Sequence, residues 1–181
     1  GNGTWHGTII ELEGCVLTSE EVAIYHPQYG KLYVRGNDNV ITGITGIEMR
    51  AGELVVEGGT ITATGDPFEA DPNGNGSTTV GAAVAVSQHT TNLDLSATIS
   101  GGTLIGVRAL YEADLQDDKV DNISLSVTGG QFNGEVLSEN VAGFISGGTY
   151  ATALPESYIA DESLFYPTAD GYAVGVYDNV V

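Results

Sequence analysis

VEGGTI, residues 56–61, is the stretch that decides the fold of this chain, because close variants of it return three times. ISGGTL begins at Ile99, VTGGQF begins at Val127 and ISGGTY begins at Ile145. Each copy contains an apolar residue, a polar residue, two glycines, a Thr or Gln, and a second apolar residue. Such self-similarity is the signature of a repeat architecture, in which each repeat is one small structural unit.

A second set of glycines lies between the GG pairs and sets the length of the repeat unit. These glycines open the segments GIEMRAG, GAAVAVS, GVRALYE and GEVLSEN, and they are Gly46, Gly81, Gly106 and Gly134. With a weaker first unit from Ala23, the units are predicted to begin near residues 23, 46, 81, 106 and 134. One unit is longer because it contains the polar stretch GDPFEADPNGNGSTT, residues 65–79.

Short runs of alternating apolar residues within each unit predict β-strands that bury one face. The runs are LYV, ELVVE, NLDLSATI, ISLSVT and AGFIS, and none of them sustains a helical period. Units of about 20 to 25 residues, with two or three short strands and sharp corners, are typical of a parallel β-solenoid. The alternative is a β-sandwich with Gly-rich hairpins, although hairpin turns would not repeat the residues around the glycines.

The glycine pairs are the predicted corners of this solenoid. Glycine permits a positive φ and leaves no Cβ to clash with the neighbouring coils. The corner residues are Gly58, Gly59, Gly101, Gly102, Gly129, Gly130, Gly147 and Gly148. The second apolar residue of each copy is then predicted to point inward, which selects Ile61, Leu104, Phe132 and Tyr150.

The units resemble the GIYV…GTVTISGGTITG repeats of secreted and phage-borne right-handed β-helix proteins of gut Firmicutes, which have the pectin-lyase-like shape. The resemblance covers roughly residues 10–150. The tail is similar to a GGTF…YLADGY element that ends many such arrays, although here ESLFYPTA intervenes between IAD and DGY. This resemblance implies an extracellular, cell-surface or virion-surface protein.

The fold class expected is therefore all-β: a single-stranded right-handed parallel β-helix of about five to six coils with an aromatic-rich C-terminal cap. We expect one domain over residues 1–181, with an N-terminal coil or cap over 1–22, coils over 23–150 and a C-terminal cap or tail over 151–181. Tyrosines crowd that tail, where they either cover the open end of the solenoid or form a platform for a sugar or a subunit.

The charge of the chain narrows the range of partners. With 24 acidic and 5 basic residues, the formal net charge is −19, which disfavours nucleic acid, anionic membranes and polyanionic sugars. No apolar run approaches the length that a membrane-spanning segment needs, so we expect no membrane insertion. A single cysteine, Cys15, excludes an internal disulfide framework.

A catalytic pair of carboxylates is one possibility, because polysaccharide lyases and glycoside hydrolases occur on β-helices. Asp117 and Asp118, in LQDDKVDN, are the candidate catalytic pair, since glycosidases use two carboxyl groups across the scissile bond. The pair resembles polygalacturonase-like enzymes only in the bare DD, because the Gly-His-Gly and Arg-x-Lys companions are missing. Basic residues are few, and an isolated arginine on a strand more often balances local acids. A solvated, charged loop therefore explains the pair better.

The sequence favours a non-catalytic extracellular surface or structural module for adhesion or assembly. Its partner would be a protein or glycan surface, or copies of itself in a trimer. One alternative is a structural subunit of a phage fibre or head decoration. The other is a carbohydrate-active enzyme built around Asp117 and Asp118. No cofactor is expected, with calcium as the one ion to test.

The calcium candidate is DPNGNG, residues 71–76, which matches the first half of a calcium loop. Asp71, Asn73 and Asn75 would offer side-chain oxygens at positions one, three and five. Position twelve is Ala82, so the usual bidentate carboxylate is absent. Asp, Pro, Asn and Gly are also the ordinary residues of an exposed turn, which is the reading that we favour.

Calcium and magnesium at equal millimolar concentration are therefore expected to raise the melting temperature alike, because both screen the same net charge of −19. Asp71→Ala is expected to leave both responses unchanged, as measured by thermal unfolding. A calcium-specific rise of about RT ln(1 + [L]/Kd) that disappears in Asp71→Ala would instead establish a calcium site.

Overall fold

The structure is a computed structural model that describes residues 7–67, 79, 81–88, 93–114 and 122–176. Within these residues the regular structure consists of β-strands and short 3-10 segments, among them the helix Glu156–Tyr158, and no helix is long and apolar enough to cross a bilayer. The strands are β1 (Ile9–Glu13), β2 (Val16–Thr18), β3 (Ile24–His26), β4 (Lys31–Arg35), β5 (Val40–Gly43), β6 (Ile47–Met49), β7 (Gly52–Val56), β8 (Thr60–Ala63), β9 (Ala82–Gln88), β10 (Leu95–Ile99), β11 (Thr103–Asp114), β12 (Ile123–Val127), β13 (Gln131–Ser138), β14 (Gly148–Tyr150), β15 (Ser163–Thr168) and β16 (Gly171–Val176).

Parallel pairing between equivalent strands of successive units organises the fold. One sheet has five strands in the order β1-β4-β7-β10-β12. The other has eleven strands, and its main path runs β15-β16-β14-β13-β11-β8-β5-β2. A side branch of this sheet runs β3-β6-β9. The long strand β11 joins the two parts, because its first residues pair with β8 and its later residues pair with β9. Within the described residues neither sheet closes on itself, and the all-β architecture with parallel sheets is as predicted.

The core consists of columns of apolar side chains that the register brings together. Leu32 pairs with Leu54, and Ile61 pairs with Leu104, which pairs in turn with Phe132. The four residues predicted to point inward, Ile61, Leu104, Phe132 and Tyr150, are at most 2% exposed. Full burial of one such side chain contributes roughly 1.5–3 kcal/mol. Every unit adds one apolar side chain to each column, so burial of side chains in the columns is the main source of stability.

The glycine pairs lie at the corner between the two sheets. Thr60 pairs with Thr103, and Thr103 pairs with Gln131, so the preceding glycines of each unit are level with one another. At Gly102 the φ is +88°, and an added Cβ would lie 3.0 Å from the carbonyl oxygens of Gly58 and Gly59. Both the conformation and the close approach of the backbones thus require glycine.

Asn39 occupies the equivalent corner position in the preceding unit, because Val40 pairs with Thr60. Its side-chain amide donates to the carbonyl oxygen of Leu12 at 3.1 Å and accepts a hydrogen bond from the backbone N–H of Cys15 at 2.9 Å. The buried amide therefore satisfies backbone groups of the first unit, where the glycine pair is replaced by Gly14 and Cys15.

The predicted unit starts Gly106 and Gly134 are level with each other, whereas Gly46 and Gly81 differ from the register by two residues. Ile47 pairs with Val84 and Val84 with Leu110, so Gly46 is level with Ala83 rather than with Gly81. The register of β11 against β13 also shifts between Ile105 and Leu110. Extra residues between a corner and the next strand move the glycine along the sequence while the strand keeps its pairing. Glycine spacing therefore places the start of this unit two residues too early.

The C-terminal residues end the stack with an antiparallel hairpin. β16 pairs antiparallel with β14 and with β15. AGFIS, predicted as a strand, is reduced to single bridges from Ile145 to Val127 and to Ile159. The buried hydroxyl of Tyr158 accepts from the N–H of Ser138 at 2.9 Å and donates to its carbonyl oxygen at 2.8 Å. This one side chain thereby satisfies both backbone groups at the end of β13.

A series of glycine substitutions separates the two constraints at the corner. Gly7→Ala is expected to be neutral, because no atom lies within 4 Å of the new Cβ and φ is not positive. Gly36→Ala should cost about 1 kcal/mol, since its φ of +78° is strained but the space is open. Gly102→Ala should cost about 2–3 kcal/mol, because strain and backbone contact combine. Denaturant unfolding measures all three, and equal losses at Gly36 and Gly102 would contradict the stacking.

Candidate binding groove on the five-stranded sheet

The outward face of the five-stranded sheet changes from charged to hydroxyl side chains along the stack. Lys31 pairs with Glu53, Glu53 is level with Ser96, and Ser96 pairs with Ser124. Two further rows of outward residues also have hydroxyl side chains at their last two positions. Thr98 is beside Ser126 in one row, and Ser100 is beside Thr128 in the other. Strand alternation produces these rows, because the residues between them point into the core. β10 and β12 therefore display a patch of short hydroxyl groups.

A groove of about 560 Å³ lies where these strands begin, and we call it the lateral groove. Two of its lining residues, Gly30 and Gly52, have no side chain to fill it. The N–H of Gly52 donates to the carbonyl oxygen of Asp94 at 2.8 Å, which holds the start of β10 against β7. The side chains that line the groove include Tyr29, Lys31, Glu53, Asp94, Ser96, Asn122 and Ser124.

Part of the charge in the lateral groove is neutralised by an ion pair between Lys31 and Glu53. Lys31 Nζ lies 2.7 Å from Glu53 Oε2, and this hydrogen bond raises the pKa of the lysine above its ordinary value. Asp94 adds a second carboxylate. The remaining side chains are a half-buried tyrosine, two hydroxyls, an amide and the buried Leu95, so the groove presents donors and acceptors beside the flat ring of the tyrosine.

Beyond the groove, arginine pairs with acids along the same sheet. Arg35 lies 3.6 Å from Glu11 and 3.5 Å from Glu57, and its guanidinium lies 4.4 Å from the centre of the Tyr33 ring. Arg50 lies 2.9 Å from Glu48 on the other sheet, and both side chains are almost fully buried. These contacts confirm that the arginines of the strands balance local acids.

A second polar region lies on the later residues of β11 and beyond β13. Glu112 is fully buried and accepts hydrogen bonds from Ser138 Oγ at 2.7 Å and from the backbone N–H groups of Asn140 and Val141 at 2.9 and 3.2 Å. The carboxylate therefore closes the turn after β13. Its acceptor positions are used within the protein, so this region is structural.

The residues predicted as chemical sites are not among those that the structure describes. Asp117 and Asp118, and likewise Asp71, Asn73 and Asn75, are outside the residues that the structure describes. No group of three or more His, Cys, Asp or Glu side chains within the described part of the chain could hold a metal ion. His26 is buried and donates from Nδ1 to the carbonyl oxygen of Ala51 at 3.1 Å, a packing role.

Sequence reasoning missed the lateral groove, although part of its signal was present. Alignment of LSATISGG with ISLSVTGG on their glycine pairs places Ser96 beside Ser124, as the structure does. The same alignment places Asp94 beside Asn122, whereas Tyr29 precedes a corner, Asp38 and Asn39, that lacks the glycine pair. Comparison of the chain with protein-family models, curated proteins and solved structures finds no match. The β-helix resemblance therefore stays a prediction.

Tyr111 provides a pH test of the buried polar region. Burial, reinforced by the carboxylate of Glu139 3.2 Å away, raises its pKa from 10.0 to about 12. The folded state therefore holds this proton more tightly than the unfolded state, so stability is full below pH 10 and falls as the pH rises toward 12. Between pH 9 and pH 11, the free energy of unfolding of Tyr111→Phe should fall less than that of the parent chain, as measured by urea unfolding. An unchanged pH dependence in the variant would contradict this assignment.

Proposed function

We propose that this chain is a right-handed parallel β-helix of five to six coils that serves as a non-catalytic extracellular surface module, with a neutral glycan as the ligand of its lateral groove. The observation that carries the binding role is the groove itself. It combines Gly30 and Gly52, which leave it open, with Tyr29 and a row of hydroxyl groups.

The strand pairing supports the β-helix. Equivalent strands of successive units pair in parallel, and their inward residues form continuous columns. The five strands of the smaller sheet correspond to five coils, and the parallel bridge between Val127 and Ile145 begins a sixth. The antiparallel hairpin of β15 and β16 then acts as the cap.

The chemistry of the lateral groove favours an uncharged sugar. Hydroxyls and an amide can exchange hydrogen bonds with sugar hydroxyls, while a tyrosine ring offers a flat apolar face for the ring of the sugar. Uronates and sulfated sugars are disfavoured, because the chain carries a net charge of −19 and the lysine of the groove is already paired with Glu53.

Assembly with other copies is the second candidate, as in a fibre. β1 and β2 each have a partner strand on one side only among the described strands. Apolar side chains of these strands are exposed: Ile9 at 60%, Ile10 at 41% and Val16 at 71%. An uncovered end with exposed apolar side chains is a surface that another subunit could cover.

Binding of neutral oligosaccharides tests the first proposal. Titration of the ¹⁵N-labelled protein, followed by NMR, should shift the amide signals around Gly30, Gly52 and Ser96. Tyr29→Ala should weaken binding by about tenfold, the equivalent of about 1.4 kcal/mol. Tyr33→Ala, on the same face but outside the groove, should have little effect, and equal losses in the two variants would contradict a specific site.

Light scattering on the same sample separates the two candidates. A monomer that binds neutral sugars supports the surface module. A stable trimer that binds none of them, and that dissociates in Ile9→Lys, supports the assembly role instead. Ile9 is the suitable position because its side chain is largely exposed and its replacement removes no core contact.

A further inference from the structure

A second groove, of about 630 Å³, lies between the 3-10 helix and the C-terminal hairpin, and we call it the cap groove. Its larger apolar side chains are Leu154, Ile159, Leu164 and Phe165. The ring of Phe165 stacks on Tyr172 with centroids 5.1 Å apart, which holds that part of the lining in place. Acidic side chains also line the groove: Glu156, Asp161 and Glu162, all exposed.

The cap groove contains the start of an edge strand. β15 is the last strand of the eleven-stranded sheet and pairs only with β16 among the described strands. The N–H of Ser163 donates to the carbonyl oxygen of Ala160 at 3.1 Å, so the open stretch begins at Leu164. It ends at Pro167, whose nitrogen has no hydrogen to donate. Because backbone groups alternate in direction along an antiparallel strand, the open N–H and C=O between Ser163 and Pro167 are those of Phe165, and they lie next to an apolar groove.

We propose that the cap groove binds an extended basic segment of a partner protein, which adds as a strand to the open edge of β15. Strand addition satisfies the outer backbone groups of an edge strand, and alternate side chains of the added strand can enter a neighbouring pocket. The apolar lining accommodates the inward side chains of that segment. This site lies on different residues from the lateral groove and does not depend on the glycan.

The charge of the surface selects a basic partner. Glu156, Asp161 and Glu162 provide three exposed carboxylates beside the groove. A second copy of this chain is a poor occupant of this groove, because its one stretch with two nearby basic residues, KLYVR at 31–35, is strand β4, which already pairs on both sides. A segment in which lysine or arginine alternates with an apolar residue matches both features, since its apolar side chains face the lining while its cations meet the carboxylates.

The backbone of Glu162 agrees with a role in binding. It has a φ of +66° and is the one non-glycine residue with a positive φ among the described residues. Glycine would adopt this conformation without strain, whereas glutamate is disfavoured there. Strain of this kind is often stored at functional sites. Glu162 therefore places its carboxylate beside the groove from a strained backbone conformation.

The test uses the full chain and a synthetic peptide, acetyl-KVKVKV-amide, as the probe. NMR of the ¹⁵N-labelled protein should show the largest shifts at the amides of Leu164, Phe165 and Tyr166, with a measurable Kd. A matched peptide with N-methyl groups on alternate residues has the same charge but cannot complete a strand. It should bind at least tenfold more weakly. Equal binding of the two peptides, or no shift at β15, would overturn strand addition.

Matched charge variants separate the groove from the general field of the protein. The double variant Glu156→Gln with Glu162→Gln should weaken peptide binding at least fivefold. Glu13→Gln with Glu20→Gln removes the same charge from exposed positions near the other end and should change it by less than twofold. Equal losses would overturn the site and leave only non-specific attraction.

Glu162→Gly provides a variant that should fold at least as well as the parent chain. It relieves the positive φ, so the melting temperature should rise, while peptide affinity should fall severalfold with the loss of the carboxylate. Unchanged affinity in this variant would exclude a part for Glu162 in binding.

Discussion

The hydrogen bonds that cross the glycine corners are the interaction on which the rest of the structure depends. The N–H of Thr60 donates to Asn39 at 2.8 Å, that of Thr103 to Gly59 at 2.8 Å, that of Gln131 to Gly102 at 2.9 Å and that of Thr149 to Gly130 at 2.9 Å. Because the ladder continues through the corner, each unit keeps the register of the previous one. A side chain at these glycines would separate the backbones and break the ladder at its tightest point.

The constant register of the strands determines which side chains lie on the inner and outer faces of the sheets. On the inner side it stacks apolar residues into columns, and on the outer side it repeats the chemistry of each strand position from unit to unit. The hydroxyl patch of β10 and β12 arises in this way, since Ser96 pairs with Ser124 and Thr98 pairs with Ser126. A ligand-binding face on such a scaffold needs no loop of its own, because the strands already hold the side chains at the strand spacing.

The two grooves lie where this regularity stops, and they differ in chemistry for that reason. The lateral groove lies where the strands of the five-stranded sheet begin, and there glycine backbones leave space between polar side chains. The cap groove lies where the parallel stack gives way to an antiparallel hairpin, whose outer edge and apolar side chains have no further strand against them among the described residues. The first suits a polar, uncharged ligand, and the second suits an extended segment of opposite charge.

The sequence by itself determined the all-β class, the corners and the inward residues, because a repeated GG and an alternating apolar pattern are local signals that parallel pairing then multiplies. Tertiary structure decided the unit boundaries, since added residues between Ile105 and Leu110 shift the register without changing the motif. It also decided both grooves. Tyr29, Asp94 and Asn122 are far apart in the chain, although Asp94 and Asn122 precede residues that pair, and Leu154 and Glu162 line one groove on either side of the 3-10 helix. Such sites depend on how closely separate segments of the chain approach one another, and no local sequence pattern encodes that approach.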